Sequence, residues 1–83
     1  MVICENWAVS SERAEAFFRS QPEAKPEGNG FRWGNCRITL TGQTSLMMNR
    51  WPIARTEIRI EGPENEASAV YRRFYLQFLS AGG

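Results

Sequence analysis

Ile53-Ala54-Arg55-Thr56-Glu57-Ile58-Arg59-Ile60-Glu61 is the most regular stretch of this chain. Ala54, Thr56, Ile58 and Ile60 share one parity, and Arg55, Glu57, Arg59 and Glu61 share the other. Strict alternation over the eight positions Ala54–Glu61 predicts a β-strand with one buried face and one ladder of alternating charge. A sheet that is wet on one side needs helices on the other side only, so this stretch points to an α+β fold.

The flanking segments agree with that choice. Downstream, Gly62-Pro63 opens a segment with Glu64 and Glu66 in its first turn, where carboxylates complement the helix dipole. Ala67, Val70, Tyr71, Phe74 and Phe78 fall on one helical face, which predicts a helix to about Ser80. Upstream, Phe31–Thr41 reads as a strand whose parity switches at Gly34-Asn35. A one-residue bulge there would return Phe31 and Trp33 to the face of Ile38 and Leu40. Without a bulge the two rings lie beside Arg37 and Thr39. The stretch Pro22–Gly30, with two prolines and two glycines, reads as a loop. Ser10 and Ser11 can cap a helix over about Ser11–Ser20, with Ala14, Phe17 and Phe18 as its apolar stripe. Val2–Val9 reads as a short first strand. The expected order is therefore β-α-β-β-α, one domain over residues 1–83, with an antiparallel hairpin sheet and both helices on one face.

Composition narrows the function. The chain has 83 residues, ten Lys plus Arg, nine acidic residues and a net charge of +1, which is neither a basic nucleic-acid arm nor an acidic mimic. It contains no His, and every acidic residue is Glu. Ser-His-Asp and Cys-His catalysis are closed to it, as are zinc sites built on imidazole. A non-enzyme with no metal and no cofactor is expected. Gly28-Asn29-Gly30 with Gly34 misses the nucleotide-binding glycine spacing and leads into a strand rather than a helix. Cys4 and Cys36 are too few for a structural zinc site; reduced, buried thiols are expected, with a disulfide as the alternative. No apolar run approaches the ~20 residues of a membrane span, so a cytoplasmic protein without a membrane partner is expected.

Four features remain as candidate sites. The connection Gly42–Pro52 holds Leu46, Met47, Met48 and Trp51, with Arg50 between them. Eleven residues is long for a hairpin loop, usually two to five, and loops ordinarily face water. Those side chains either fold back on a thin core, extend the strands, or dock a partner protein; Met, Trp and Arg suit the last. Leu76 and Leu79, on the Arg72 side of the last helix, are candidates for self-association as a homodimer. Phe31, Arg32 and Trp33 could stack and neutralise single-stranded nucleic acid, although the ribonucleoprotein motif is absent. Ser80-Ala81-Gly82-Gly83 resembles the diglycine tail of ubiquitin-like sulfur carriers. That resemblance covers two residues, and in those carriers the tail follows a strand. The leading expectation is a non-catalytic protein-interaction or regulatory module.

Overall fold

Two Gly-Asn pairs, Gly28-Asn29 and Gly34-Asn35, set the layout of the sheet. Gly28 has φ +59° and Gly34 has φ +63°. A left-handed first central residue is what the two-residue turns of tight hairpins need, and glycine adopts it without strain. Each pair joins two antiparallel strands, closing Glu27 onto Gly30 and Trp33 onto Cys36.

The computed structural model describes the backbone of residues 1–46 and 52–81 and the side chains of 1–42 and 54–79. Its elements are β1 (Val2–Trp7), α1 (Ser11–Ser20), β2 (Ala24–Glu27), β3 (Gly30–Trp33), β4 (Cys36–Leu46), β5 (Pro52–Glu61) and α2 (Glu64–Ala81). The strands form one antiparallel sheet in the order β1-β5-β4-β3-β2. The α+β architecture is as expected, but three boundaries differ. The segment Pro22–Gly30 is not wholly a loop, because β2 lies within it. Phe31–Thr41 is not one bulged strand, because the Gly34-Asn35 turn splits it into β3 and part of β4. The first strand stops at Trp7 rather than Val9.

The turn at Gly34-Asn35 gives the parity switch its meaning. The chain reverses there, so Phe31 and Trp33 end on the same face as Cys36, Ile38 and Leu40. Thr56, Ile58 and Ile60 of β5 and Ile3 and Trp7 of β1 complete that face. Arg32, Arg37, Thr39, Glu57, Arg59 and Glu61 line the other face.

Both helices cover the apolar face. Ser10 caps α1: its side chain accepts from the backbone N–H of Arg13 at 3.2 Å. Ala14, Phe17 and Phe18 of α1 meet Ala67, Val70, Phe74 and Phe78 of α2 above Ile38, Ile58 and Ile60. Phe18 and Phe74, both fully buried, stack at 5.7 Å with their planes 7° apart. Thr56 is the one buried polar side chain among the described residues. Its hydroxyl donates to the carbonyl of Val9 at 2.6 Å, which ties the start of α1 to β5.

Two substitutions test this core by chemical denaturation. Phe74→Ala empties the space between the helices and is expected to cost about 3–5 kcal/mol. Thr56→Val keeps the shape but leaves the Val9 carbonyl unpaired, at about 1–3 kcal/mol.

Candidate functional site

The longest ladder in the sheet joins β4 to β5, from Arg37↔Glu61 to Leu46↔Pro52. Its neighbours are shorter. β3 accompanies β4 only as far as Thr39, and β1 accompanies β5 only as far as Thr56. Residues 43–46 and 52–55 therefore form a two-stranded arm with no third strand on either side among the described residues. At roughly 3.4 Å per residue the arm extends about 14 Å past the sheet. Ser11, at the start of α1, lies against Gly42 at the base of the arm.

The Gly42–Pro52 connection is thus not an eleven-residue loop. Its outer residues are strand, which leaves residues 47–51 between the two ends. Leu46 is the last residue of β4; Met47, Met48, Arg50 and Trp51 lie outside the described residues.

The other sequence candidates are separated by the fold. Phe31 and Trp33 face the helices, and Phe31 is buried. Trp33 is half-buried beneath α2, with the Arg73 guanidinium 5.6 Å from its ring centre. Arg32 points to the opposite face and gives Glu27 a two-point contact, at 2.7 Å and 3.3 Å. The stacking rings and the cation are therefore not assembled on one surface. On the open face Arg37 also lies 3.7 Å from Glu27, and Arg59 pairs with Glu61 at 2.9 Å. The hydrogen bond from Arg32 holds the Glu27 carboxyl below its ordinary value.

Leu76 and Leu79, three residues apart on α2, are both exposed and adjoin on its surface. Leu76 lines a shallow depression with Phe17, Gln21, Arg73 and Gln77, on the α1 side of α2. Leu79 continues the series Tyr71, Tyr75, Leu79 at four-residue spacing, which runs down the β1 side of the helix. Tyr71 donates its hydroxyl hydrogen to Glu5 of β1 at 2.7 Å, and Tyr75 lies edge-on to Trp7 at 5.7 Å. α2 is helical through Ala81, so a helix rather than a strand precedes Gly82-Gly83, which lie outside the described residues.

The two thiols differ. Cys36 is fully buried on the helix side of β4, whereas Cys4 is exposed on the open side of β1. β5 lies between their strands, so a disulfide within the chain is excluded by geometry. The expectation that both are buried fails for Cys4. Burial pushes the Cys36 thiol up, with the nearby Glu66 carboxylate adding to it.

Among the described residues, no three or more metal-ligating side chains gather into a site, and no helix is long and apolar enough to cross a membrane. A cleft beside α2, lined by Glu23, Trp33, Glu66 and Arg73, has a volume of about 210 Å³, and a wider depression lined by Ser11, Phe31, Leu40 and Gly42 has one of about 390 Å³. Comparison of the chain with protein-family models, curated proteins and solved structures finds no match.

Two measurements follow from the buried groups. A chromogenic disulfide reagent should titrate one thiol in the native protein, Cys4, and two after denaturation; two native thiols would contradict the burial of Cys36. Burial, then the hydrogen bond to Glu5, pushes the Tyr71 phenol up to about 12. The fold favours the neutral phenol over the unfolded value of 10.0, so this stabilisation is complete below pH 10 and is lost as the pH rises towards 12. Stability measured over that range should fall more steeply in the native protein than in Tyr71→Phe.

Proposed function

We propose that the protein is a non-catalytic adaptor of the cytoplasm that docks a partner protein through the β4–β5 arm. The observation that carries this reading is the unsupported ladder of residues 43–46 and 52–55. A two-stranded ribbon is at best marginally stable in water, and a third strand or an apolar partner is what normally secures it. The sequence at its end, Leu46-Met47-Met48-Asn49-Arg50-Trp51, is rich in the residue types that dominate protein interfaces. Met adapts its shape to a partner, Trp supplies area, and Arg supplies a fixed fork of donors. The chain's lack of His and Asp supports a binding role over a catalytic one. An exposed thiol at Cys4 suits a reducing compartment.

The test pairs folding with binding. Met48→Ser with Trp51→Ser is expected to leave the thermal transition of the domain nearly unchanged. Binding to the partner, identified by in-cell cross-linking and mass spectrometry with cross-links to residues 43–55, should weaken by about 30-fold or more for a hot-spot loss of ~2 kcal/mol. Unfolding of the double variant, or undiminished affinity, would overturn the reading.

A further inference from the structure

The free edge of β1 has a defined hydrogen-bonding face. The amino group of Met1 donates to the carbonyl of Gly62 at 3.0 Å, and the N–H of Gly62 donates back to Met1 at 3.0 Å. Antiparallel ladders alternate, so Ile3, Glu5 and Trp7 also direct their backbone groups at β5. Val2, Cys4 and Asn6 therefore direct their N–H and C=O groups outwards. These three residues are evenly spaced about Cys4.

The two edges of the sheet are treated differently. β2 is four residues long and carries Lys25 and Pro26, which discourage strand addition. β1 is six residues long and has no proline, lysine or arginine. Of the five large apolar side chains exposed among the described residues, Met1 and Val2 belong to this edge, and Tyr75 and Leu79 belong to the flank of α2 beside it.

We propose that this edge self-associates: β1 pairs antiparallel with β1 of a second copy, about a two-fold axis at Cys4, to make a continuous ten-stranded sheet. The inference is independent of the arm. In this register Val2 faces Asn6 of the second copy, Cys4 faces its own counterpart, and the three outward residues of each strand exchange six hydrogen bonds. Glu5, the only charged residue of β1, faces Ile3 of the second copy rather than another Glu5. Met1 of the second copy lands opposite Trp7, beside the Tyr75 ring that Trp7 carries.

The position of α2 argues for a second copy rather than a lone peptide strand. A strip six residues long and one ~4.8 Å strand spacing wide offers roughly 100 Å², far less than the ~800 Å² per partner of a standard interface. α2 lies over β5 and β1. With strands ~4.8 Å apart, a helix above their boundary stands roughly 5 Å from the axis, so the two α2 helices pass about 10 Å apart. That is helix-packing distance, roughly 8–10 Å, and it covers Tyr75 and Leu79 as a single peptide strand would not.

Sedimentation of the purified full chain at high micromolar concentration should give twice the 9.5 kDa protomer mass. Diamide supplies a reporter: it accepts two electrons and two protons from a pair of thiols, becoming the hydrazine, and the thiols become a disulfide. Peptide mapping should find Cys4 joined to Cys4 and Cys36 still reduced. Cys4→Pro deletes an outward N–H while leaving the bonds to β5 intact, and Leu79→Glu charges the flank. Each is expected to weaken dimerisation about tenfold or more with the far-ultraviolet spectrum unchanged; if Cys4→Pro unfolds, Leu79→Glu decides. Cys4→Ser should remain dimeric, as should the Met48, Trp51 double variant, so failure of the arm reading leaves this result standing. A monomer throughout, a dimer indifferent to Leu79→Glu, or diamide cross-links without Cys4–Cys4 would overturn the proposal.

Discussion

Phe18 and Phe74 are stacked where α1, α2 and the middle of the sheet meet, and the rest of the structure is arranged around that contact. Among the described residues, two helices cover five strands. Aromatic rings bury the most area per residue, which is why the interhelical layer is built from Phe17, Phe18, Phe74 and Phe78. Each ring touches at least one other at a centroid distance under 6 Å. The helices use their apolar residues on one sheet face, and the other face is left to charged side chains.

That asymmetry explains what was legible in the sequence. The alternation of 54–61 and the helical spacing of Val70, Phe74 and Phe78 report one-sided burial, and the structure has it. The hairpins were harder to see. Ala24–Glu27 carries Lys, Pro and Glu and exposes all but Ala24, so an edge strand there reads like a loop. The signal that could have found it is the repeated Gly-Asn, six residues apart, each pair flanked by segments short enough to be strands. At Gly34-Asn35 the parity switch was visible, but a bulge and a reversal both restore the apolar face. Asn35 adds a contact that only the fold reveals: its backbone and side chain both donate to Glu66 of α2, at 3.3 Å and 3.1 Å, and so fasten the turn to the helix.

The candidate sites were less legible because they depend on which strands stand beside which. Nothing in the spacing of Phe31, Arg32 and Trp33 says that the rings face the helices while the cation faces water. The reach of the arm is likewise a property of β1 and β3, which stop early, rather than of residues 42–52 themselves. Leu76 and Leu79 are neighbours in the sequence, yet one borders the α1 side and the other the β1 side of the same helix. Three residues along a helix leave two side chains about 60° apart, so the pair adjoins on the exposed surface while each leans to a different flank.

The position of β1 also has a consequence for how the chain is made. β2, β3 and β4 follow one another through two-residue turns, so their ladders close over short loops. β1 instead pairs with β5, and Val2 meets Glu61 across nearly the whole chain. During synthesis at about 5–20 residues per second, the first strand emerges roughly 3–12 seconds before its partner. It is the earliest strand made and the last to be seated. In that interval β1 has no strand to pair with, so the edge that β1 forms is completed only once the chain has been made as far as Glu61.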